Sequence, residues 1–539
     1  MDGILYGFEV ALTPENLLWV LLGCLIGTVT GLLPGLGPTA TVAVLLPLTY
    51  RMDPASAIIL LAGIFYGAMF GGRIPAILLN LPGDGASVIT TFDGYPLRKQ
   101  GKAGSALAIT AIGSFIGGTV AIIGITLFAP VASQWALRIG APELFTLALL
   151  GMILIAVLAE GSVIKGLIGA GIGILIAVIG LDNFTGAQRF TFGADELMDG
   201  VSIVPLAVGL FGVGEILVDA ERRFFRSKLA KVDSFWPDWK ALTKVRGAIA
   251  RSSVLGFFLG LIPGGGGAMA SVVAYGAEKR FSKEPEKFGK GAMDGLAATE
   301  TADNAASNSS FVPLLTLGIP PNPVIALIAG ALIIHGITPG PQLINSNPEI
   351  FWGVIASMYI GVVVLLIMNL PMIGLFVQIL RVPAAILNSV IITIAVCGVY
   401  SVRNSLFDVF LMFFFGIIGY GLKKLRIPPG PLILGFILAP IMEAELRRSL
   451  RISDGSFSIF FERPISVSVM AFIGVMVLSM VVPWKKVFRR TPVAAGGPDS
   501  PARPGATAQV ADPPERESRA DSDRDAEASS RTGEGGGKE

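Results

Sequence analysis

The sequence predicts an all-α polytopic membrane protein: two inverted-topology repeats, each with re-entrant or discontinuous helical hairpins. Three observations predict it: long apolar runs along most of the chain, an internal repeat anchored on Gly and Pro, and an uneven distribution of Lys and Arg. Of the 539 residues, 53% are hydrophobic and only 15% are charged. Mean hydropathy is +0.70. Soluble domains carry about 25% charged residues, and a helix needs about 20 apolar residues to cross a bilayer. Runs of that kind lie near 16–33, 55–72, 105–130, 143–160, 162–181, 200–218, 351–370, 384–400, 405–422 and 464–484. We therefore expect about ten full spans plus shorter apolar pieces. The first run lacks a basic n-region and leads into more membrane sequence, so it reads as a span and not as a cleaved signal.

The repeat carries most of the information. Residues 27–37 read GTVTGLLPGLG and residues 256–266 read GFFLGLIPGGG, with six of eleven positions identical at an offset of 229. A second match pairs IPAILLNLP (74–82) with VPLLTLGIP (312–320), aligning Pro75 with Pro313 and Pro82 with Pro320 at an offset of 238. The nine-residue difference fits a longer polar insertion around 277–300 in the second copy.

Charge gives the copies their orientation. Residues 1–50 contain no Lys or Arg, whereas 219–251 contain nine, and Lys485, Lys486, Arg489 and Arg490 follow the last run. The positive-inside rule then places the N-terminus outside and the central linker and C-terminus in the cytoplasm. The copies start on opposite sides, as in the inverted repeats of secondary transporters. The expected organisation is a first membrane repeat (1–218), a basic cytoplasmic linker (219–251), a second membrane repeat (252–484) and a disordered cytoplasmic tail (485–539) whose composition buries too little to order it.

The matched residues are helix breakers. Gly31, Pro34, Gly35, Gly37 and Pro38 interrupt the first copy; Gly260, Pro263, Gly264, Gly265, Gly266 and Gly267 interrupt the second. Proline removes a backbone donor, and glycine lets the backbone approach a ligand. Irregular backbone at membrane depth survives only where protein buries it or a wet cavity borders it. The freed N–H groups at a half-helix N-terminus favour an anion. Gly35, Gly37, Thr39 and Thr41 in the first copy, and Gly264, Gly265, Gly266, Gly267 and Ser271 in the second, are therefore candidate substrate-binding residues. Arg73 joins them, because a guanidinium holds a carboxylate bidentately; the alternative is that it snorkels to the interface. Asn80, Asp84 and Ser87 follow the second element of the first copy, and Thr301, Asp303, Asn304 and Asn308 lie in that of the second. Their hard oxygens suit a coupling ion, with Na⁺ as the candidate metal or H⁺ on a carboxylate. The bland alternatives are glycines serving helix packing and polar residues in surface loops.

The segments GLLPGLGPTATVAVLLPL, LLNLPGDGASVITTFDGYPLRKQGKAG, GLIPGGGG and FVPLLTLGIPPNPVIALIAGALIIHGITPGPQL resemble the large permease subunit of the tripartite tricarboxylate transporters, the TctA family. The resemblance covers roughly 16–485. It implies an ion-gradient-driven carrier in the bacterial inner membrane. It also implies a small TctB-like membrane subunit and a periplasmic TctC-like solute-binding protein delivering an organic carboxylate such as citrate. The chain departs from the family's usual residues at Arg73, Asp303, Ser309-Ser310 and Pro321-Asn322, all within or beside the candidate site. No cofactor and no nucleic acid are expected.

Two other classes compete. An intramembrane enzyme finds little support: Leu81-Pro82-Gly83-Asp84 lacks the first glycine of a GxGD protease motif, no HExxH occurs, and one histidine leaves no plausible Ser/His pair. No GxxxxGK[ST] loop is present for ATP-driven pumping. A passive anion channel is the third reading, which the paired breaks disfavour.

Overall fold

The computed structural model describes residues 2–33, 36–158, 162–182, 184–221, 239–379 and 384–481. Residues 1–480 form one compact unit. The expected tail (485–539) lies outside the described residues, as do 222–238 of the expected linker. The linker's described ends belong to the helices that flank it.

The first half runs α1 (Asp2–Ala11), α2 (Pro14–Leu32), α3 (Pro38–Leu45), α4 (Pro54–Leu79), α5 (Ser87–Lys99), α6 (Ala103–Ala136), α7 (Ala141–Leu158) and α8 (Val163–Ala177). A two-stranded hairpin, β1 (Gly180–Leu181) and β2 (Gln188–Arg189), follows; then come α9 (Ile203–Ala207), a π-helical segment (Val208–Val213) and α10 (Gly214–Glu221), continuous as one apolar rod. The second half runs α11 (Trp239–Gly260), α12 (Gly266–Phe281), α13 (Met293–Ser309), α14 (Phe311–Leu317), α15 (Pro323–Ile334), α16 (Leu343–Ser346), α17 (Pro348–Asn369), α18 (Ile373–Ile379), α19 (Ala384–Arg403), α20 (Leu406–Lys424), α21 (Pro429–Ile452), α22 (Ile459–Glu462) and α23 (Pro464–Val481). Starts are written in the sequence. Asp53 accepts from Ala55 N (3.0 Å) and Ser56 N (3.3 Å) ahead of Pro54. Asn322 accepts from Ile325 N (2.9 Å) ahead of Pro323. A side-chain oxygen at the N-cap followed by Pro at N1 is a strong helix start.

Eight of these rods are long and apolar enough to cross a bilayer. The runs expected at 143–160, 162–181 and 464–484 form shorter apolar helices among the described residues, Ala141–Val157, Val163–Ala177 and Pro464–Leu478. One spanning rod, Pro429–Ile452, was absent from the expectation, because Glu443, Glu445, Arg447, Arg448 and Arg451 in its last turns dilute an apolar first half.

The internal repeat recurs in atomic contacts at the same offsets. In the first half α2 packs on α4 through glycines: a Cβ on Gly23 would lie 2.7 Å from Leu60 O, one on Gly67 2.9 Å from Cys24 O, and one on Gly71 2.5 Å from Thr28 O. Gly27 and Gly31 abut Ile64 O and Ala68 O. In the second half α11 packs on α13, and Gly256 and Gly260 abut Ala302 O and Ala306 O. These four pairs are related by 229 on one helix and 238 on the other. The ends match as well. Asn80 (φ 59°) and Gly318 (φ 72°) both terminate their helices in the left-handed region. Leu81 N donates to Pro75 O (3.3 Å), and Ile319 N donates to Pro313 O (3.2 Å). Left-handed C-caps of this kind satisfy the last carbonyls and turn the chain out of the helix.

Packing between the halves is reciprocal. The long α6 lies against α13, and its counterpart α17 lies against α4. The short α12 packs on α5, and α3 packs on α15. At the periphery α8 packs on α21, and α20 packs on the π segment and α10. Two ionic clusters tie the ends of these rods. Asp182 meets Arg447 (3.1 Å), which also meets Glu443 (2.7 Å), and Glu143 meets Arg463 (3.3 Å). Elsewhere Lys424 pairs with Glu221 (2.5 Å), Lys423 with Glu215, and Lys165 Nζ donates to Leu425 O (2.5 Å).

Because the glycine contacts involve backbone, even a methyl group is too large. Gly27→Ala and Gly256→Ala should each destabilise the detergent-solubilised protein by about 1–3 kcal/mol or abolish its monodisperse peak. Gly171→Ala, whose added Cβ meets nothing within 4 Å, should stabilise slightly, by up to about 1 kcal/mol. Thermal unfolding of the three variants checks this.

Candidate functional site

Helix α13 is the unusual element. Every residue from Gly295 to Ser309 is buried, yet the run includes Thr299, Glu300, Thr301, Asp303, Asn304, Ser307, Asn308 and Ser309. Ala297, Ala298, Ala302, Ala305 and Ala306 supply the helix propensity. They also leave room for neighbours: Ala298, Ala302 and Ala306 pack with Ala248 of α11 and with Ala270 and Ala274 of α12. The polar side chains form two adjoining rows.

One row faces α6. A Cβ on Gly113 would lie 2.6 Å from Thr301 Oγ1, and Gly117 abuts Thr301 O. Asn304 Nδ2 donates to Ser114 Oγ (2.8 Å) and to Glu300 O (3.1 Å); Asn308 Nδ2 donates to Asn304 O (2.8 Å). The other row faces α12 and α5. Gly267, in the first turn of α12, sits directly on Asp303 Oδ1. Ser271 Oγ donates to Thr299 O (3.3 Å), and Thr90 Oγ1 of α5 donates to Glu300 Oε1.

Five buried oxygens on this one helix lack a hydrogen-bond partner: Thr301 Oγ1, Asp303 Oδ1, Asn304 Oδ1, Ser307 Oγ and Asn308 Oδ1. Buried polar atoms are normally paired, and each exception calls for an explanation. An oxygen set of carboxylate, amide and hydroxyl is what a hard monovalent cation requires. Among the described residues no group of three or more His, Cys, Asp and Glu is arranged to hold a metal ion, so the amides and hydroxyls would have to contribute.

An orphan of opposite polarity lies on α4, which packs against α13. Arg73 is 0% exposed. It does not snorkel. Nη1 donates to Phe70 O (2.9 Å), Nη2 reaches Asn369 Oδ1 of α17 (3.5 Å), and Nε has no partner. Beside Arg73, Gly72 brings backbone to the Asp84 carboxylate: an added Cβ would lie 3.4 Å from Asp84 Oδ1. Asp84 N donates to Ser87 Oγ (3.0 Å), and Ser87 N donates to Asp84 Oδ1 (2.8 Å). This opens α5 as Asn322 opens α15, and it sets Ser87 one turn before Thr90.

The structure thus gathers Arg73, Asp84, Ser87, Gly267, Ser271, Thr301, Asp303, Asn304 and Asn308 around one stretch of α13. Others stand apart. Gly35 lies outside the described residues. Gly37 caps α3, which packs on α4, α15 and the π segment; Thr41 Oγ1 donates back to Gly37 O (3.2 Å), and Thr39 is half-buried in the same turn. Asn80 ends α4. Gly264 (φ 78°) donates its N–H to Pro321 O (2.7 Å), Gly265 N donates to Ile262 O (2.8 Å), and Gly266 (φ 48°) starts α12; positive φ at 264 and 266 is why glycine stands there.

Sequence reasoning passed over Glu300, Thr90, Ser114, Asn369 and Asp93. Asp93 is a lock. Its Oδ1 accepts from Gly289 N (2.8 Å), Gly291 N (2.7 Å) and Ala292 N (2.8 Å), and its Oδ2 accepts from Tyr275 Oη (2.9 Å). It thereby fastens α5 to the entry of α13. The only available signal was an acid inside an otherwise amphipathic segment.

The two halves are unequal here. At the same offsets the counterparts of Glu300, Asp303, Asn304, Ser307 and Asn308 are Ala62, Phe65, Tyr66, Met69 and Phe70, and that of Arg73 is Phe311. All six of these belong to the main hydrophobic core.

A model of the tripartite tricarboxylate transporter TctA family matches residues 17–434. An uncharacterised 52.8 kDa protein from the TAR-I ttuC' 3' region of Agrobacterium vitis is 47% identical over 466 residues, which is 86% of this chain and 93% of that protein. A second protein of that organism, from the TAR-II ttuC' 3' region, is 48% identical over 228 residues, covering 42% of this chain and 94% of its own length. The uncharacterised protein MJ1079 of Methanocaldococcus jannaschii is 23% identical over 264 residues, 48% of this chain and 60% of its own. No solved structure matches.

Removing the Asp93 carboxylate would leave three backbone donors and a hydroxyl without their acceptor, at about 1–3 kcal/mol for each that stays buried. Asp93→Ala should therefore destabilise by at least about 3 kcal/mol, and Tyr275→Phe by about 1 kcal/mol. Hydrogen exchange of residues 282–292, together with thermal unfolding, checks both.

Proposed function

The chain belongs to the tripartite tricarboxylate transporter TctA family, and from that premise we propose that it is the large permease subunit of a binding-protein-dependent secondary transporter. It imports a tricarboxylate or related organic carboxylate, driven by a Na⁺ or H⁺ gradient, and is not an enzyme. Its partners are a small TctB-like membrane subunit and a periplasmic TctC-like solute-binding protein, and it resides in the bacterial inner membrane.

The observation that carries this reading is the pairing of opposite orphans: unpartnered oxygens on α13 and an unpartnered guanidinium N–H on α4, both inside the protein. Ionisable groups at membrane depth are costly and mark substrate or ion paths. The oxygens suit a coupling cation, and Arg73 suits a carboxylate. The breaks at 261–265 and 80–86 bring α12 and α5, with their N-terminal N–H groups, to the same place. The repeats are inverted in this reading, which the reciprocal packing of α6 with α13 and α17 with α4 supports. The N-terminus is periplasmic and the C-terminus cytoplasmic.

In proteoliposomes carrying both membrane subunits, uptake of a labelled organic carboxylate should require the soluble partner and an inward Na⁺ or H⁺ gradient. Uptake that persists with all gradients collapsed would contradict coupling. Arg73→Gln should reduce uptake by about 10- to 150-fold, the cost of a charge-assisted contact of about 1.5–3 kcal/mol made in a dry site. Gly267→Ala forces Asp303 aside and should raise the half-saturating cation concentration by about tenfold or more, as read from initial rates against cation concentration.

A further inference from the structure

Ser114 differs from the hydroxyls on either side of it in α6. This helix abuts α13 through glycines: an added Cβ would lie 2.6 Å from Thr301 Oγ1 at Gly113 and 3.3 Å from Asn308 Nδ2 at Gly118. Between those two glycines Ser114 is the one polar side chain. Hydroxyls inside helices commonly return their proton to a carbonyl one turn back. Thr110 does so to Ala106 O (2.9 Å), and Thr119 to Phe115 O (2.7 Å). Ser114 is fully buried, and among the described residues its hydrogen bonds cross to α13 instead. Its Oγ accepts from Asn304 Nδ2 (2.8 Å) and donates, over a longer 3.4 Å, to Glu300 O.

That contact decides which way the Asn304 amide points. The amide nitrogen carries two N–H bonds. One goes to Glu300 O (3.1 Å) on its own helix, and the other to Ser114. A carbonyl oxygen only accepts, so the amide atom facing Glu300 O has to be nitrogen. Both donors are then spent within the protein, and Oδ1 is the end left without a partner. Asn308 repeats the device one turn on: Nδ2 donates to Asn304 O (2.8 Å), and Oδ1 is left over. With Thr301 Oγ1 these are three unspent oxygens on the row of α13 that faces α6. They belong to amides and a hydroxyl, which offer lone pairs and take up no proton near neutral pH. Hard metal cations take such oxygens as ligands.

We infer that Ser114 is a positioning residue of the coupling-cation site: by holding the Asn304 amide nitrogen, it presents Asn304 Oδ1 to a metal cation such as Na⁺. The inference rests on the transporter reading and deepens it. Ser114 belongs to α6 of the first half and Asn304 to α13 of the second, 190 positions apart. One half thus orients an oxygen that the other half supplies. Without the serine, the amide loses the acceptor of its second N–H and is free to turn that donor toward the cation. An N–H end repels what the oxygen end holds. Partners that orient metal ligands in this way are worth about 10- to 100-fold in metal affinity.

The test is equilibrium binding of radiolabelled Na⁺ to the purified full chain in nanodiscs, at constant ionic strength and pH and with no carboxylate present. Four proteins are compared: wild type, Ser114→Ala, Asn304→Ala and the double variant. Ser114→Ala should raise the Na⁺ dissociation constant at least about tenfold, and Asn304→Ala by at least as much. The double variant should match Asn304→Ala within about twofold, because a residue that acts through Asn304 then has nothing left to act on. A serine that only fills space would lower the affinity by the same factor in both backgrounds. Losses that multiply in the double variant therefore overturn the inference, and so does wild-type Na⁺ affinity in Ser114→Ala. A wild type that binds no Na⁺ overturns it as well while leaving H⁺-driven uptake intact; failure of the transporter reading shows separately, as uptake with all gradients collapsed. Should Ser114→Ala not yield monodisperse protein, Ser114→Cys, whose sulfur accepts weakly, must raise the constant at least about threefold. An unchanged constant there overturns the inference equally.

Discussion

A polar helix enclosed inside a membrane protein is the constraint on which the rest of this structure depends. Helix α13 brings eight hydroxyl, amide and carboxylate side chains into a region where none meets bulk water. Apolar side chains around it would leave those groups unsatisfied at several kcal/mol each. The solution is close backbone approach. Gly113, Gly117 and Gly118 of α6, Gly256 and Gly260 of α11 and Gly267 of α12 each stand where a neighbour would otherwise place a side chain against α13. Small residues let helices approach closely where lipid offers no hydrophobic drive. The glycine count of the sequence is thus a packing requirement before it is a matter of hinges, and only Gly264, Gly266 and Gly318 among the breaks need positive φ.

Much of the architecture was legible. The offsets of 229 and 238 locate matched breaks, and the structure repeats them atom for atom in the Pro75/Pro313 carbonyl bonds and the Asn80/Gly318 caps. Those features are local: a helix ends where Pro, Gly or Asn dictates, and that can be read in one dimension. The polar residues Thr301, Asp303, Asn304 and Asn308 admitted a surface-loop alternative, and the run Thr299–Ser310 that holds them is not a loop. It is instead the last eleven residues of α13 and its C-cap, because alanines between the polar residues keep it helical. The span at 429–452 escaped for the opposite reason, since charges at one end hide an apolar start.

The pairings within the site were not legible. Thr90 and Glu300 are 210 positions apart in the chain and Ser114 and Asn304 are 190 apart, so two different helices of one half reach α13 of the other. No pattern of spacing encodes such meetings; they follow from packing α4, α5 and α6 of one half against α13 of the other. The asymmetry of the halves was equally hidden. Duplication supplies two equivalent places, yet one is lined by Asp303, Asn304, Ser307 and Asn308 and the other by Phe65, Tyr66, Met69 and Phe70. At these matched positions one half presents a packed apolar core and the other a row of polar side chains.

The transporter reading requires that the enclosed face of α13 open to one side of the membrane at a time during the transport cycle. Replacing the two native cysteines, Cys24 and Cys397, and introducing Ser307→Cys allows labelling with a membrane-impermeant thiol reagent from either face of oriented vesicles. The account predicts modification from one face only, with the reactive face changing when coupling cation and carboxylate are supplied together. Simultaneous modification from both faces under a single condition would show a continuous pore and contradict it.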